Sequence, residues 1–194
     1  QVLITKVGPN SQSQYTNVYA DDISLLGVSL SKNIAGVSVG AEVSYRDNTP
    51  LVSQTLGIAP GLPTEGETKG PRGNTYHALV NGLGTIPKTQ FFDVATWLTE
   101  LTYSQLDKVT SGANLFQGVG FAPCAGKNKF DGCVTKEFVG FGMSFNPTWF
   151  QVFPGVDVSS PVTYAMGLMG NAPTTIVTFQ APDGWPNRGC LPLP

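Results

Sequence analysis

A chain of 194 residues is the length of one domain and long enough to bury a core. Charged residues make up 12% of it, about half the ~25% of a typical soluble domain, and a formal net charge of −2 offers no basic face to a nucleic acid. Apolar content is 41%, so the missing charge has been replaced by Gly, Ser, Thr, Asn and Pro, a composition that suits all-β chains and transmembrane barrels in particular.

The N-terminal QVLITKVG lacks the basic, apolar and small-residue regions of an export signal, so an exported protein is expected to have its signal upstream of Gln1. Residues 2–7 read as a short strand, interrupted by the polar run 9–14. From Asp22 to Arg46 the pattern is much stronger. Val37, Val39, Ala41, Val43 and Tyr45 share one face, and Ser38, Gly40, Glu42, Ser44 and Arg46 the other, the two-residue period of a strand with one apolar side. Leu26, Val28 and Leu30 repeat it across Asn33-Ile34-Ala35-Gly36, a connection with turn residues at both ends, so the segment is a β-hairpin.

A loop is expected over 47–75, with Pro50, Pro60, Pro63 and Pro71, followed by a weak strand at 76–84. In DVATWLTELTYSQ, Ala95, Trp97, Thr99, Leu101 and Tyr103 oppose Thr96, Glu100, Thr102 and Ser104, with Leu98 out of pattern. An amphipathic helix competes here, but the threonines and aromatics favour strand. A second long loop, 105–134, contains Cys124 and Cys133, which read as a disulfide of an oxidising compartment or as two free thiols. Val139, Phe141, Met143 and Phe145 then alternate with Gly140, Gly142 and Ser144. Asn146 to Phe150 reads as a turn, and a last strand covers about 156–168. The proline-rich tail 172–194 carries the third cysteine, Cys190.

Connections therefore run short, long, short, long, short, as in outer-membrane barrels, and strands near ~10 residues match the ~9–11 that cross a bilayer. Aromatics (Tyr45, Phe91, Phe92, Tyr103, Trp149, Phe150) fall at strand ends, where interface girdles belong. The expected fold is all-β, an antiparallel up-and-down sheet of a transmembrane-type β-barrel. It is either a fragment or a minimal barrel of about eight strands, reached only by adding 2–7 and 174–180. A soluble β-sandwich alternates in the same way and is the alternative.

The hairpin sequence YADDISLLGVSLSKNIAGVSVGAEVSYRDNTPL resembles a proteobacterial family catalogued as domain of unknown function 1302, with later blocks GPRGNTYHALVNGLG, FFDVATWLTELTYSQLDKVT and FNPTWFQVFPGVDVSSPVTYAMGLMGN in the same order. The likeness covers roughly 17–171, and 172–194 then reads like a truncated or out-of-frame end of an internal portion of a longer protein. It implies a bacterial outer-membrane location and assigns no catalytic residue. On that reading Ser38, Glu42, Ser44, Arg46, Glu100 and Thr102 line a lumen. The role is structural or permeation, with small hydrophobic compounds as a conceivable cargo. The partners are a lipid bilayer or detergent, and open sheet edges promote self-association.

Two chemistries compete with it. Gly36-Val37-Ser38-Val39-Gly40 fits the nucleophile elbow of serine esterases and lipases, with His77, the single histidine, as base and Asp47, Glu65 or Glu67 as acid. No helix follows Ser38, however, and the motif is made of common small residues. Glu42 and Glu100 could pair across a lumen for acid–base work. With one histidine and no ligand cluster no metal is expected, and no cofactor is implied.

Overall fold

The alternation at 37–46 belongs to a longer strand, and neighbouring strands extend it sideways into one antiparallel sheet. The computed structural model describes residues 2–7, 12–17, 19–54 and 70–174. Strands β1 (Val2–Val7) and β2 (Gln12–Asn17) pair with each other in a separate two-stranded sheet. The main sheet runs β3 (Ser24–Ile34), β4 (Val37–Pro50), β5 (Arg72–Ile86), β6 (Val94–Ser111) and β7 (Glu137–Phe153). Its last two strands, β8 (Val156–Ser159) and β9 (Val162–Met169), lie in succession along the same edge of β7. Every pairing is antiparallel, so the up-and-down order stands.

The sheet is open. Strand β3 forms one edge and β8 with β9 the other, and the two edges do not pair. The minimal closed barrel is therefore not formed. The strand at 2–7 exists, but its partner is Gln12–Asn17, which begins inside the polar run 9–14, and not the main sheet. The strand sought at 174–180 lies almost wholly outside the described residues.

Local chemistry explains most of the connections. Ala35 (φ 51°) and Gly36 (φ 85°) form a two-residue turn closed by the pair Ile34–Val37, and the positive φ at both positions matches the twist of the flanking strands. The helical alternative at 93–105 is excluded by β6, an 18-residue strand paired with β5 from Ala95 to Ser111 and with β7 from Val94 to Gln105. Leu98 sits opposite Leu83, on the face away from Trp97 and Leu101. The turn expected at Asn146–Phe150 is not there. Strand β7 continues to Phe153, and the chain reverses at Pro154-Gly155. Pro147 is tolerated because the ladder beside it is already broken at Ser160-Pro161, between β8 and β9, while Ser160 N–H still donates to Pro147 O at 3.1 Å.

The connections are 35–36, 51–71, 87–93, 112–136 and 154–155, so short and long do alternate, with narrower loops than 47–75 and 105–134 because the strands run on. The strands, 11 to 18 residues from β3 to β7, exceed the expected ten because β4, β5 and β6 run on towards the end where the long loops meet and β7 runs on at the other end, to Phe153. There Leu51, Val52, Leu106, Phe116 and Val134 form a small buried cluster. Cys124 and Cys133 are disulfide-bonded within the 112–136 loop, as the spacing suggested. Gly170 (φ 67°) turns the chain after β9 so tightly that a Cβ would strike the Glu137 carbonyl. Residues 171–174 then fold back, with Val52 N–H donating to Pro173 O at 3.0 Å and Asn171 Nδ2 to Cys133 O at 2.8 Å. These pieces form a cap over one face of the sheet.

Closing a loop of this length stabilises by about 2–3 kcal/mol. The double variant Cys124→Ser with Cys133→Ser is expected to lower hydrogen-exchange protection across 112–136 by about a hundredfold and leave the centre of β4–β7 unchanged. Equal loss throughout the sheet would show that the cap is not a separately stabilised unit.

Candidate functional site

The two faces of the sheet differ: one is apolar, and the other mixes polar and small residues with Leu25, Leu83 and Leu98. On one, the register aligns Leu30, Ala41, Val80, Leu101, Phe141 and Met166 in a single row across six strands. The row beside it holds Val28, Val43, Ala78, Tyr103 and Val139. Among the described residues nothing covers them. Val28 is 75% exposed, Leu30 74% and Val43 61%, so the described residues supply no second layer of a sandwich over this face.

Aromatic side chains bound these rows at both ends. Towards the long loops, Tyr45 and Tyr76 are in ring contact at 4.7 Å and Tyr103 stands one row below. Tyr45 Oη donates to Asp107 Oδ2 at 3.2 Å and accepts from Asn74 Nδ2 at 2.7 Å. Past the tyrosines this face turns polar, with Gln105 donating to Glu137 at 3.5 Å. Towards the short turns, the Trp97 ring lies over Gly82 and Gly84, where a side chain would collide with it. Phe92 packs edge-on against Phe145, and Trp149 Nε1–H donates to Phe91 O at 2.6 Å. Lys32, beside Val39 on the edge strand, is the cation of this face near the short turns. From Val37 to Tyr45 the strand rises about 26 Å at ~3.3 Å per residue.

The opposite, inner face carries Ser38, Glu42, Ser44, Arg46, Glu100 and Thr102, the six residues expected to share a lumen. They do share a face, and beneath the cap it holds a cavity of about 250 Å³. Its floor is Glu42, Ser44 and Arg46 of β4, His77 and Leu79 of β5, and Thr102 and Ser104 of β6; Phe138 closes one side and Ala172 and Thr174 come from the cap. His77 Nε2 lies 2.9 Å from Thr75 Oγ1, and Thr102 Oγ1 donates to Gly140 O at 3.3 Å. Arg46 Nε and Ser104 Oγ are buried and have no hydrogen-bond partner among the described residues. Alternation placed Ser104 on this face. Phe138 and the cap residues arrive through tertiary folding and leave no local signal.

The esterase constellation is not assembled. His77 is opposite Ser44, and Ser38, six residues further along β4, is opposite Leu83. Ser38 and His77 are thus about 20 Å apart along the sheet. Asp47, one residue past Arg46, alternates onto the face away from Ser38. Glu65 and Glu67 lie outside the described residues. Nor do Glu42 and Glu100 meet as a pair, since β5 runs between their strands and Glu42 is opposite Leu79 while Glu100 is opposite Asn81. Among the described residues no group of three His, Cys, Asp or Glu could hold a metal ion, and no helix is long and apolar enough to cross a membrane.

A family model described as "Protein of unknown function (DUF1302)" matches residues 2–185, beyond the 17–171 over which the likeness was legible. Comparison with curated proteins and with solved structures finds no match.

At the short-turn end the Lys88 ammonium, hydrogen-bonded to Asp93, and the Phe150 N–H donating to it at 2.9 Å hold the Asp93 carboxyl below its ordinary range. A lowered folded value means that the stabilisation is complete at neutral pH and is lost as pH falls through that value. Asp93→Asn is expected to lower amide protection factors over 87–93 at pH 7 to those the wild type reaches only in acid. Unchanged protection at both pH values would show that the carboxylate does not hold this turn.

Proposed function

The chain belongs to the DUF1302 family, and on that premise we propose that β3–β9 are part of the wall of a bacterial outer-membrane β-barrel. The observation that carries the reading is the uncovered apolar face, bounded by aromatics at both ends. On a soluble monomer, contiguous apolar patches rarely exceed a few hundred Å². Hydrocarbon accepts such a surface at no cost, and aromatic rings at its margins suit the headgroup level. The ~26 Å between Val37 and Tyr45 is close to the ~25 Å apolar band of such barrels. Short turns at one end and long loops at the other supply the usual asymmetry.

In this reading Ser38, Glu42, Ser44, Arg46, Glu100 and Thr102 face the lumen and the cap lies across its outer mouth. The role is permeation or wall-building, with small, largely apolar solutes as the cargo. The edges of β3 and β9 have no strand partner among the described residues, and hydrocarbon does not tolerate unpaired backbone groups. Further strands, from more chain or a second copy, complete the wall.

The test is a charge placed on either face of one strand. Leu101→Arg, in the middle of the apolar row, is expected to cost about 2–4 kcal/mol of stability in lipid vesicles. Glu100→Arg, one residue away on the inner face, is expected to change it by under ~1 kcal/mol. Urea titration in vesicles reads both. Equal effects would remove the lipid-facing assignment.

A further inference from the structure

We infer that the cavity beneath the cap binds a compact neutral molecule whose apolar body carries a carbonyl-type oxygen, and that the Nδ1–H of His77 holds that oxygen. His77 is half-buried on β5 and lines the cavity. Its Nε2 lies 2.9 Å from the hydroxyl of Thr75, a residue that is 0% exposed. That nitrogen is the hydroxyl's one hydrogen-bond partner among the described residues. A buried hydroxyl hydrogen needs an acceptor, so Thr75 donates and Nε2 accepts. An imidazole with no carboxylate bonded to it is neutral at pH 8, and the single ring proton therefore sits on Nδ1.

Nδ1 has no hydrogen-bond partner among the described residues, and unlike Arg46 Nε and Ser104 Oγ it is not closed off from solvent. The two nitrogens stand at nearly opposite corners of the ring. With Nε2 turned to Thr75, Nδ1 is turned the other way along the strand, towards the level of Glu42, Leu79 and Thr102, which all line the cavity. A lone donor is thus presented to the open volume, and its missing partner is an acceptor. Leu79, Phe138 and Ala172 supply apolar wall for the rest of the molecule. Glu42 and Arg46 line the same cavity with opposite charges, so it holds no excess of either sign, and burying an unmatched ion is costly. The volume, about 250 Å³, lies just under the ~300 Å³ at which ligand pockets usually begin, which favours a compact molecule over a lipid. The binding chemistry stands without the membrane reading; that the ligand is a solute in passage rests on it.

His77 is the single histidine of the chain, so isotopic labelling of histidine nitrogen reports this ring alone by NMR. In the full chain, in detergent at pH 8, Nδ1 is expected to give the protonated, pyrrole-type signal and Nε2 the pyridine-type one. Acetophenone is expected to shift the Nδ1 signal saturably. Calorimetry, read against detergent alone, should find it bound about fivefold more tightly than ethylbenzene, which lacks the oxygen, the worth of one neutral hydrogen bond. Benzoate, which adds a charge, should bind more weakly than acetophenone. His77→Phe should erase the preference for acetophenone and leave ethylbenzene unchanged. Circular dichroism identifies a variant that fails to fold, in which case the wild-type tautomer and ligand series decide. A proton on Nε2, absence of saturable acetophenone binding, equal affinity for ethylbenzene, tighter binding of benzoate, or an unmoved preference in folded His77→Phe overturns the site. Vesicle insertion is scored separately: insertion without acetophenone binding removes the site and keeps the wall, and binding without insertion does the reverse.

Discussion

The constraint on which the architecture depends is that one side of the sheet finds nothing to pack against among the described residues. Leu30, Ala41, Val80, Leu101, Phe141 and Met166 line up across six strands with no layer above them. Left in water, such a surface forfeits about 25 cal/mol for each Å² of apolar area. The ladder that presents it is regular through the middle of β4 to β7, with irregularities only near Arg46–Thr49 and Arg72–Thr75, so backbone groups seek partners chiefly at the edges. What must be supplied is an apolar neighbour, and the aromatic margins set the thickness of that neighbour.

The inner face has the opposite economy of packing. Small residues run along it, Gly27, Ser29, Ser31, Gly40, Gly140, Gly142 and Gly167 among them, so the sheet itself contributes little bulk there. Bulk comes instead from the cap, which brings Phe116, Val134 and Ala172 from distant parts of the chain and fastens them with the disulfide and the Asn171 side chain. Burial is concentrated where the cap touches the sheet: Thr75 is 0% exposed and Ser44 3%, both on the inner face. The cavity is the part of that contact that the cap does not fill, and residues of β4, β5 and β6 line it.

Period-two alternation made the strands, their antiparallel order and the split between faces legible from the residues alone, because side-chain direction in a strand follows position with no help from tertiary contacts. The hairpin at 33–37 was legible for the same local reason, and the disulfide was one of two readings left by a pair of loop cysteines with no metal-ligand spacing. Turn chemistry misled at Asn146–Phe150, where Pro147 suggested an ending; proline is compatible with a strand whose neighbouring ladder is already interrupted, and that neighbour is fixed only by the fold. Likewise Gly36-Val37-Ser38-Val39-Gly40 has the spelling of a nucleophile elbow, but register, which local sequence does not specify, carries His77 to the level of Ser44 instead of Ser38. The cavity was half legible: alternation gathered Glu42, Ser44, Arg46, Thr102 and Ser104 on one face, whereas Phe138 and the cap required long-range folding.

The most direct test of the central claim is a nitroxide scan along β4, residues 37–45, with the full chain reconstituted in lipid vesicles. At each site, collision with lipid-soluble oxygen is compared with collision with a water-soluble nickel complex. Oxygen should dominate at Val37, Val39, Ala41 and Val43, with the nickel complex dominating at Ser38, Gly40 and Glu42, in strict alternation. Odd-numbered sites shielded from both reagents, or open to the nickel complex, would mean that protein or water covers the apolar face, and the membrane-wall account would be wrong.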